Sequence, residues 1–226
     1  MAEPRRRRDP SSGAAQQVFA SIGATIFEVG SVLGGRYEIE ALLGMGGMGA
    51  VYKAHDLEVD RAVGLKVIRP DLAGNPAILA RFKQELILAR QVTHKNIIRI
   101  YDLSEAEGVK FITMEFIEGE DLRTILTREG KLTPEEAINV IRQSCAGLQA
   151  AHVEGVIHRD LKPSNIMRDA SGRVVIMDFG LAKTVTGDGM TQTGMMIGTM
   201  EYMSPEQAMG SELDARSDIF ALGLIF

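Results

Sequence analysis

Residues 155–169 read GVIHRDLKPSNIMRD. His158, Arg159, Asp160, Lys162 and Asn165 crowd into this one short segment. Val156 and Ile157 precede them, and the apolar run VVIM (Val174 to Met177) follows. A solvated turn can be as polar, but these charges are pinned between two core-like runs. Polar groups in that position need assigned partners, because burying them unpaired is costly. What the partners are decides what the chain is.

Outward from this segment, the pattern organises into two halves. Immediately upstream, TPEEAINVIRQSCAGLQAAHVEG (133–155) reads as the longest helix. Thr133 and Glu136 form a capping box, Pro134 suits the first turn, and Gly155 is a natural stop. Further upstream, NPAILARFKQELILARQV (75–92) is a second helix, with Asn75 as cap and Ile78, Phe82, Leu86 and Ala89 as its apolar face. Glu85 sits on the edge of that face, where a carboxylate wants a cation. Before it, RYEIEALLG (36–44), AVYKAHD (50–56) and RAVGLKVIR (61–69) read as three antiparallel strands. NIIRIYDL (96–103) and VKFITMEF (109–116) suit two more. Downstream come a short hairpin, Ile166–Met167 with Val174–Met177, and a Gly-, Thr- and Met-rich loop to about Met203. A strand-rich half thus precedes a helix-rich half, an α+β order with its join near Glu118 to Asp121.

At 226 residues the chain can bury a sizeable core, and 45% hydrophobic with 24% charged residues is ordinary for a globular protein. A net charge of −5 gives no general attraction to nucleic acid. The basic run Arg5 to Arg8 lies in residues 1–35, read as a flexible tail with the arginines in solvent. Cys145, the sole cysteine, excludes a disulfide within one chain and is expected to be a small buried thiol. No signal peptide is expected from the Arg-rich start, and no run reaches the ~18 apolar residues that a membrane helix needs. The last residues, IFALGLIF (219–226), are unusually apolar for a terminus, so the natural sequence is expected to continue.

The stretch LGMGGMGAVY (43–52) is a glycine cluster: Gly44, Gly46, Gly47 and Gly49, followed by Val51. Glycines let backbone N–H groups approach phosphate oxygens. Alone the pattern is weak, but its setting sharpens it. A dinucleotide site would continue into a helix, whereas here a strand follows, and no Gly-Lys-Ser/Thr closes a P-loop. A hairpin lid remains. In AVGLKVI (62–68), Lys66 shares a face with Gly64 and Ile68, opposite Val63, Leu65 and Val67. It is either a surface lysine on an edge strand or the partner of Glu85 and of a phosphate.

Together these motifs resemble the protein kinases: the glycine loop, Lys66, Glu85, HRDLKPSN, and DFG at Asp178, Phe179 and Gly180. The likeness continues through GTMEYMSPEQA (198–208) and RSDIFALG (216–223), and covers about Arg36 to Phe226 in order. It is most similar to the bacterial eukaryote-like Ser/Thr kinases. The resemblance implies a two-lobed fold: a flexible tail over 1–35, an N-lobe with an antiparallel sheet and one helix over 36–117, and a mainly helical, incomplete C-lobe over 118–226.

The resemblance also implies roles. ATP and Mg2+ are the cofactors, with Mn2+ as an alternative. Asp160 orients the substrate hydroxyl, and Lys162 neutralises the transferring phosphoryl group. Lys66, held by Glu85, grips the α/β phosphates. Asn165 and Asp178 hold the metal. Leu43, Gly44, Gly46, Gly47, Gly49 and Val51 cover the nucleotide. Met167 faces Val51 across the adenine, Met114 is the gatekeeper, and Glu115 to Ile117 form the hinge. Thr191 and Thr193 are expected autophosphorylation sites, with Arg159 as the phosphate's partner. His158 is expected to pack near Phe179, His152 to be a core histidine, and Asp218 to cap the catalytic-loop backbone. Expected partners are protein Ser/Thr substrates and a second copy for trans-autophosphorylation, in the cytoplasm, with no nucleic acid.

Two departures from the family stand out. Gly64 replaces the usual alanine, which predicts the loss of one methyl contact. The chain also stops inside the helix carrying Asp218, before the arginine that normally pairs with Glu206. That predicts a poorly stable, weakly active chain, because breaking a buried pair costs about 3–5 kcal/mol. A pseudokinase and a small-molecule phosphotransferase of the same broad fold are the competing readings. GTMEYMSPE argues against the second, because it resembles a protein-substrate platform.

Overall fold

The computed structural model describes residues 27–46, 49–179 and 200–226; within them the side chains of Asp71, Ile78 and Arg81 are outside the description. Six antiparallel strands form the first sheet: β1 (Val32–Leu33), β2 (Tyr37–Gly46), β3 (Gly49–Asp56), β4 (Arg61–Ile68), β5 (Ile100–Ala106) and β6 (Val109–Glu115). Their spatial order is β1-β2-β3-β4-β6-β5. Period-two alternation builds this sheet. Val63, Leu65 and Val67 of β4 pack with Tyr37, Ile39, Tyr52 and Phe111 on one face. Ile68 and Ile112 meet Phe82 and Leu86 of helix α2 (Pro76–Gln91) on the other. A one-turn helix, α1 (Pro70–Ala73), links β4 to α2.

The alternation expected for residues 36–44 stops early. Register shifts between Ile39 and Ala41 and between Leu42 and Gly44 turn Leu43 outward, 51% exposed. The sheet also begins earlier than the sequence pattern suggests. Val32 and Leu33 pair with Glu38 and Tyr37, and Leu33 is buried. Phe27 packs edge-on against Tyr52, and its N–H donates to the Tyr52 hydroxyl at 3.2 Å. The boundary expected at residue 36 therefore falls inside the folded unit, because a two-residue strand is too short to show a period. The basic run Arg5 to Arg8 lies outside the described residues.

The second half holds a three-stranded sheet, β7 (Gly119–Asp121), β8 (Ile166–Asp169) and β9 (Val174–Ile176), in that order. Against it pack α3 (Leu122–Glu129) and α4 (Pro134–Val153); α5 (Pro205–Ala208) and α6 (Ala215–Ile225) follow, with α6 packed on α4. Both halves of the Thr133–Glu136 capping box form. Helix α3, unmarked in the sequence reading, starts where Asp121 accepts the Thr124 N–H at 3.0 Å. Leu122, Ile125, Val140, Leu148, Leu161, Ile166 and Ile176 form the core of this half. The buried face of α4 runs Val140, Ser144, Gly147, Leu148, Ala151. Cys145 is rotated off that face and is exposed, contrary to the expected buried thiol.

Residues 96–98 were expected to start a strand of the first sheet, but they bind the second sheet instead. The Ile176 N–H donates to Asn96 O and the Ile98 N–H to Ile176 O, both at 2.9 Å. This exchange ties the base of α2 to the strand leading to Asp178.

Candidate active site

The segment HRDLKPSN forms a loop ending in a 3-10 turn, Pro163–Asn165, which feeds β8. Most of its polar groups have partners, as their placement between core runs demands; Arg159 Nε is buried without one. The 1%-exposed carboxylate of Asp218, from α6, accepts the His158 N–H at 2.8 Å and the Arg159 N–H at 2.9 Å. His152 Nε2 reaches the same carboxylate at 2.7 Å. Burial opposes charge on Asp218, but the bonds from His152, His158 and Arg159 prevail and hold its carboxyl below the usual range. These bonds stabilise an unfavourable backbone at Arg159, which has φ 65°; Asp178, with φ 55°, is a second positive-φ residue of the site. Gln207 of α5 donates to the Arg159 carbonyl at 2.7 Å.

His158 is fully buried, and its ring lies 4.7 Å from that of Phe179. Nε2 donates to Met177 O at 2.8 Å, and Nδ1 accepts the Asp160 N–H at 3.3 Å. Burial pushes its pKa down, so the ring is neutral and structural. Asp160 is the convergence point. Lys162 Nζ donates to its Oδ2 at 2.7 Å, and Asn165 Nδ2 donates to its backbone carbonyl at 2.8 Å. Using Nδ2 in this way leaves the Asn165 side-chain oxygen for another group.

Lys66, 8% exposed on β4, places Nζ 2.7 Å from Asp178 Oδ1. Burial opposes the Asp178 charge, but Lys66, with a lesser contribution from Lys162, outweighs it and holds the carboxyl below its ordinary value. Glu85 does not meet Lys66 here. It accepts instead from Arg159 Nη1 at 2.9 Å, so two lysine–carboxylate and arginine–carboxylate pairs bridge the two halves. Glu85 was expected to find a cation, and Arg159 is one; spacing alone could not say which. The side-chain oxygens of Asn165 and Asp178 are the hard donors that Mg2+ prefers and would fit it. No group of three His, Cys, Asp or Glu that could hold a metal ion occurs among the described residues.

The remaining site residues lie on the two sheets and on the link between them. Met114, Ile117, Ile98 and Val175 form a buried cluster, with Met167 and Met177 packed against it. Val51 lies beside Lys66 across the β3–β4 pair, and Leu43, Gly44 and Gly46 lie on β2. Gly47, Thr191 and Thr193 are outside the described residues. Gly49 has φ +142°, and a Cβ there would lie 1.8 Å from Val67 O, so the hairpin itself requires glycine. At Gly64 a Cβ would lie 3.0 Å from Met114 Cγ. That glycine makes room for Met114, rather than simply lacking a methyl contact. Sequence reading missed Asn96, Gln143, Arg173 and Gln207, whose longest contacts span 47 to 78 positions.

The profile of the protein kinase domain family matches residues 37–226. Serine/threonine-protein kinase PknB of Mycobacterium tuberculosis is 45% identical over 201 residues, covering 86% of this chain and 32% of that protein. Serine/threonine-protein kinase pkn3 of Myxococcus xanthus is 45% identical over 206 residues, covering 87% and 38%. The chain thus spans about a third of the length of the curated relatives it matches. The crystal structure of the M. tuberculosis PknI kinase domain superposes with a TM-score of 0.70 at 27% identity, covering 88% of this chain and 74% of that one. The matched profile and the fold together establish that this chain belongs to the protein kinase family.

Proposed function

We propose that the chain is the catalytic part of a Ser/Thr protein kinase, which moves the γ-phosphoryl group of ATP to protein Ser or Thr hydroxyls. One observation carries this reading: Lys162 and Asn165 converge on Asp160, with the Lys66–Asp178 pair in the same cleft. Asp160 accepts the hydroxyl proton as the oxygen attacks. Lys162 offsets charge on the transferring group, and Lys66 binds the α/β phosphates. Asn165 and Asp178 hold Mg2+, which supplies charge neutralisation on the phosphates. Glycine-loop residues Leu43, Gly44, Gly46, Gly47 and Gly49 cover the nucleotide. Val51 and Met167 enclose the adenine beside Met114, Glu115 and Ile117. Positioning and electrostatics do the work, so loss of Asp160 costs orders of magnitude in rate.

The ion pairs suggest regulation. Lys66 bound to Asp178, and Glu85 bound to Arg159, is one arrangement; Lys66 bound to Glu85 leaves Asp178 to the metal. A phosphate on Thr191 or Thr193 competes with Glu85 for Arg159 and favours the second. A second copy of the chain delivers that phosphate in trans. No helix among the described residues is long and apolar enough to cross a membrane; the ATP requirement favours a cytoplasmic site. The competing reading, a nucleotide-binding pseudokinase, is favoured only by the occupied Asp178.

Intact-mass analysis after incubation with MgATP separates the two. Phosphate added to the wild type but not to Asp160→Asn, mapping to Thr191 or Thr193, supports the kinase. Nucleotide binding without added phosphate in either protein supports the pseudokinase.

A further inference from the structure

The turn joining β8 to β9 reaches back to the hinge. Arg173 Nη2 donates to Glu115 Oε1 at 2.6 Å, across 58 positions. Both side chains are about a third exposed or less, 32% and 27%. Surface ion pairs are usually weak because two long side chains must be ordered to make them. Here Arg173 is ordered in advance. Asp169 Oδ1 accepts the Arg173 N–H at 3.0 Å, and its Oδ2 lies 3.4 Å from Nε. The Gln143 carboxamide fixes the neighbours on both sides, donating to Gly172 O at 2.9 Å and accepting from the Val174 N–H at 3.0 Å. The same Gln143 oxygen accepts from Asn96 Nδ2 at 2.8 Å. Glu115 is fixed too, since its N–H donates to Arg99 O at 2.8 Å.

We propose that Arg173 is a positioning residue for the nucleotide, latching the hinge at Glu115 to β9, the strand that leads to Asp178. The inference rests on the kinase reading above. From Arg173 the chain runs through buried Val174, Val175 and Ile176 to Met177, whose N–H donates to Asn165 O at 2.8 Å. The Glu115–Arg173 pair therefore joins the adenine-reading edge of the cleft to its two metal-holding residues by a short, rigid path. Losing the pair frees the hinge relative to Asp178, which weakens nucleotide binding more than it slows transfer.

The test measures MgADP binding by calorimetry and autophosphorylation over a range of ATP concentrations. The proteins are wild type, Arg173→Met, Glu115→Gln, their double variant, and the charge exchange Glu115→Arg with Arg173→Glu. Each single change is expected to weaken MgADP binding and raise KM for ATP about three- to tenfold, with kcat changed less than about twofold. The double variant is expected to be no worse than the worse single, and the charge exchange to recover part of the loss. If Arg173→Met fails to fold, Arg173→Lys, which keeps the charge and loses the fork, should show a smaller loss in the same direction. Unchanged binding in every folded variant, or losses that add in the double, overturns the latch. A wild type that binds no MgADP overturns the kinase reading as well; binding with unmoved variants overturns the latch alone.

Discussion

Replacing Asp218 by Asn tests how the catalytic loop is held. The carboxylate receives the His158 N–H at 2.8 Å and the Arg159 N–H at 2.9 Å, and faces His152 Nε2 at 2.7 Å. An amide has one oxygen to offer. In its better orientation it keeps the His158 and His152 contacts on the remaining oxygen and turns its NH2 toward the Arg159 N–H. At least one hydrogen bond to a charged group is lost, worth about 1.5–3 kcal/mol. The positive φ of Arg159 then also lacks its anchor. For a chain of this size roughly 2–4 °C of melting temperature accompanies each kcal/mol, so Asp218→Asn should melt about 3–12 °C lower. The pH dependence provides an internal check. The folded carboxyl lies below its ordinary value of 3.8, so the unfolded chain takes up the proton first on acidification. The stabilisation is fully present above the unfolded pKa and is lost as pH falls through the folded one. Thermal unfolding followed by circular dichroism should thus give a wild-type-minus-variant difference that is full near neutrality and shrinks below about pH 4. A difference under about 1 °C at pH 7, or one that persists undiminished at pH 3, would refute the reasoning.

Two glycine predictions follow. Gly49→Ala should destabilise the sheet by about 1–3 kcal/mol or more from backbone conformation alone, whereas Gly44→Ala, whose Cβ would meet nothing within 4 Å, should leave the melting temperature nearly unchanged and alter only nucleotide affinity; equal melting shifts would contradict the assignment. Gly64→Ala should cost about 1 kcal/mol, because Met114 must move aside, and the smaller Met114→Thr should remove most of that cost in a double-mutant cycle; independent, additive effects would show that the two side chains do not compete.

What the sequence made legible was local in origin. Alternation along AVGLKVI marked Lys66 as facing away from Val63, Leu65 and Val67, and the structure buries it opposite that face. The capping box at Thr133 and Glu136 needs only four consecutive residues, and it forms. The position of Glu85 announced a need for a cation, but Lys66 and Arg159 lie far away in sequence on different elements, and spacing cannot choose between them. Val32 and Leu33 formed too short a strand to show a period. Asn96 sat in an apolar run that suited a strand, yet its hydrogen bonds go to Val174 and Gln143. Cys145 was misjudged because a helix this rich in Ala, Gly and Leu has no sharp apolar edge, and one residue, or 100°, separates it from buried Ser144. The Glu115–Arg173 pair leaves no local trace at all.

Phosphoryl transfer centred on Asp160 can be followed directly. The most direct measurement is transfer of radiolabelled γ-phosphate from MgATP to a mixed protein substrate, followed by phosphoamino-acid analysis, for wild type, Asp160→Asn and Asp178→Asn. The account predicts label on Ser and Thr with the wild type and at least a hundredfold less with either variant. Label transferred equally by Asp160→Asn, or found on Tyr alone, would contradict it.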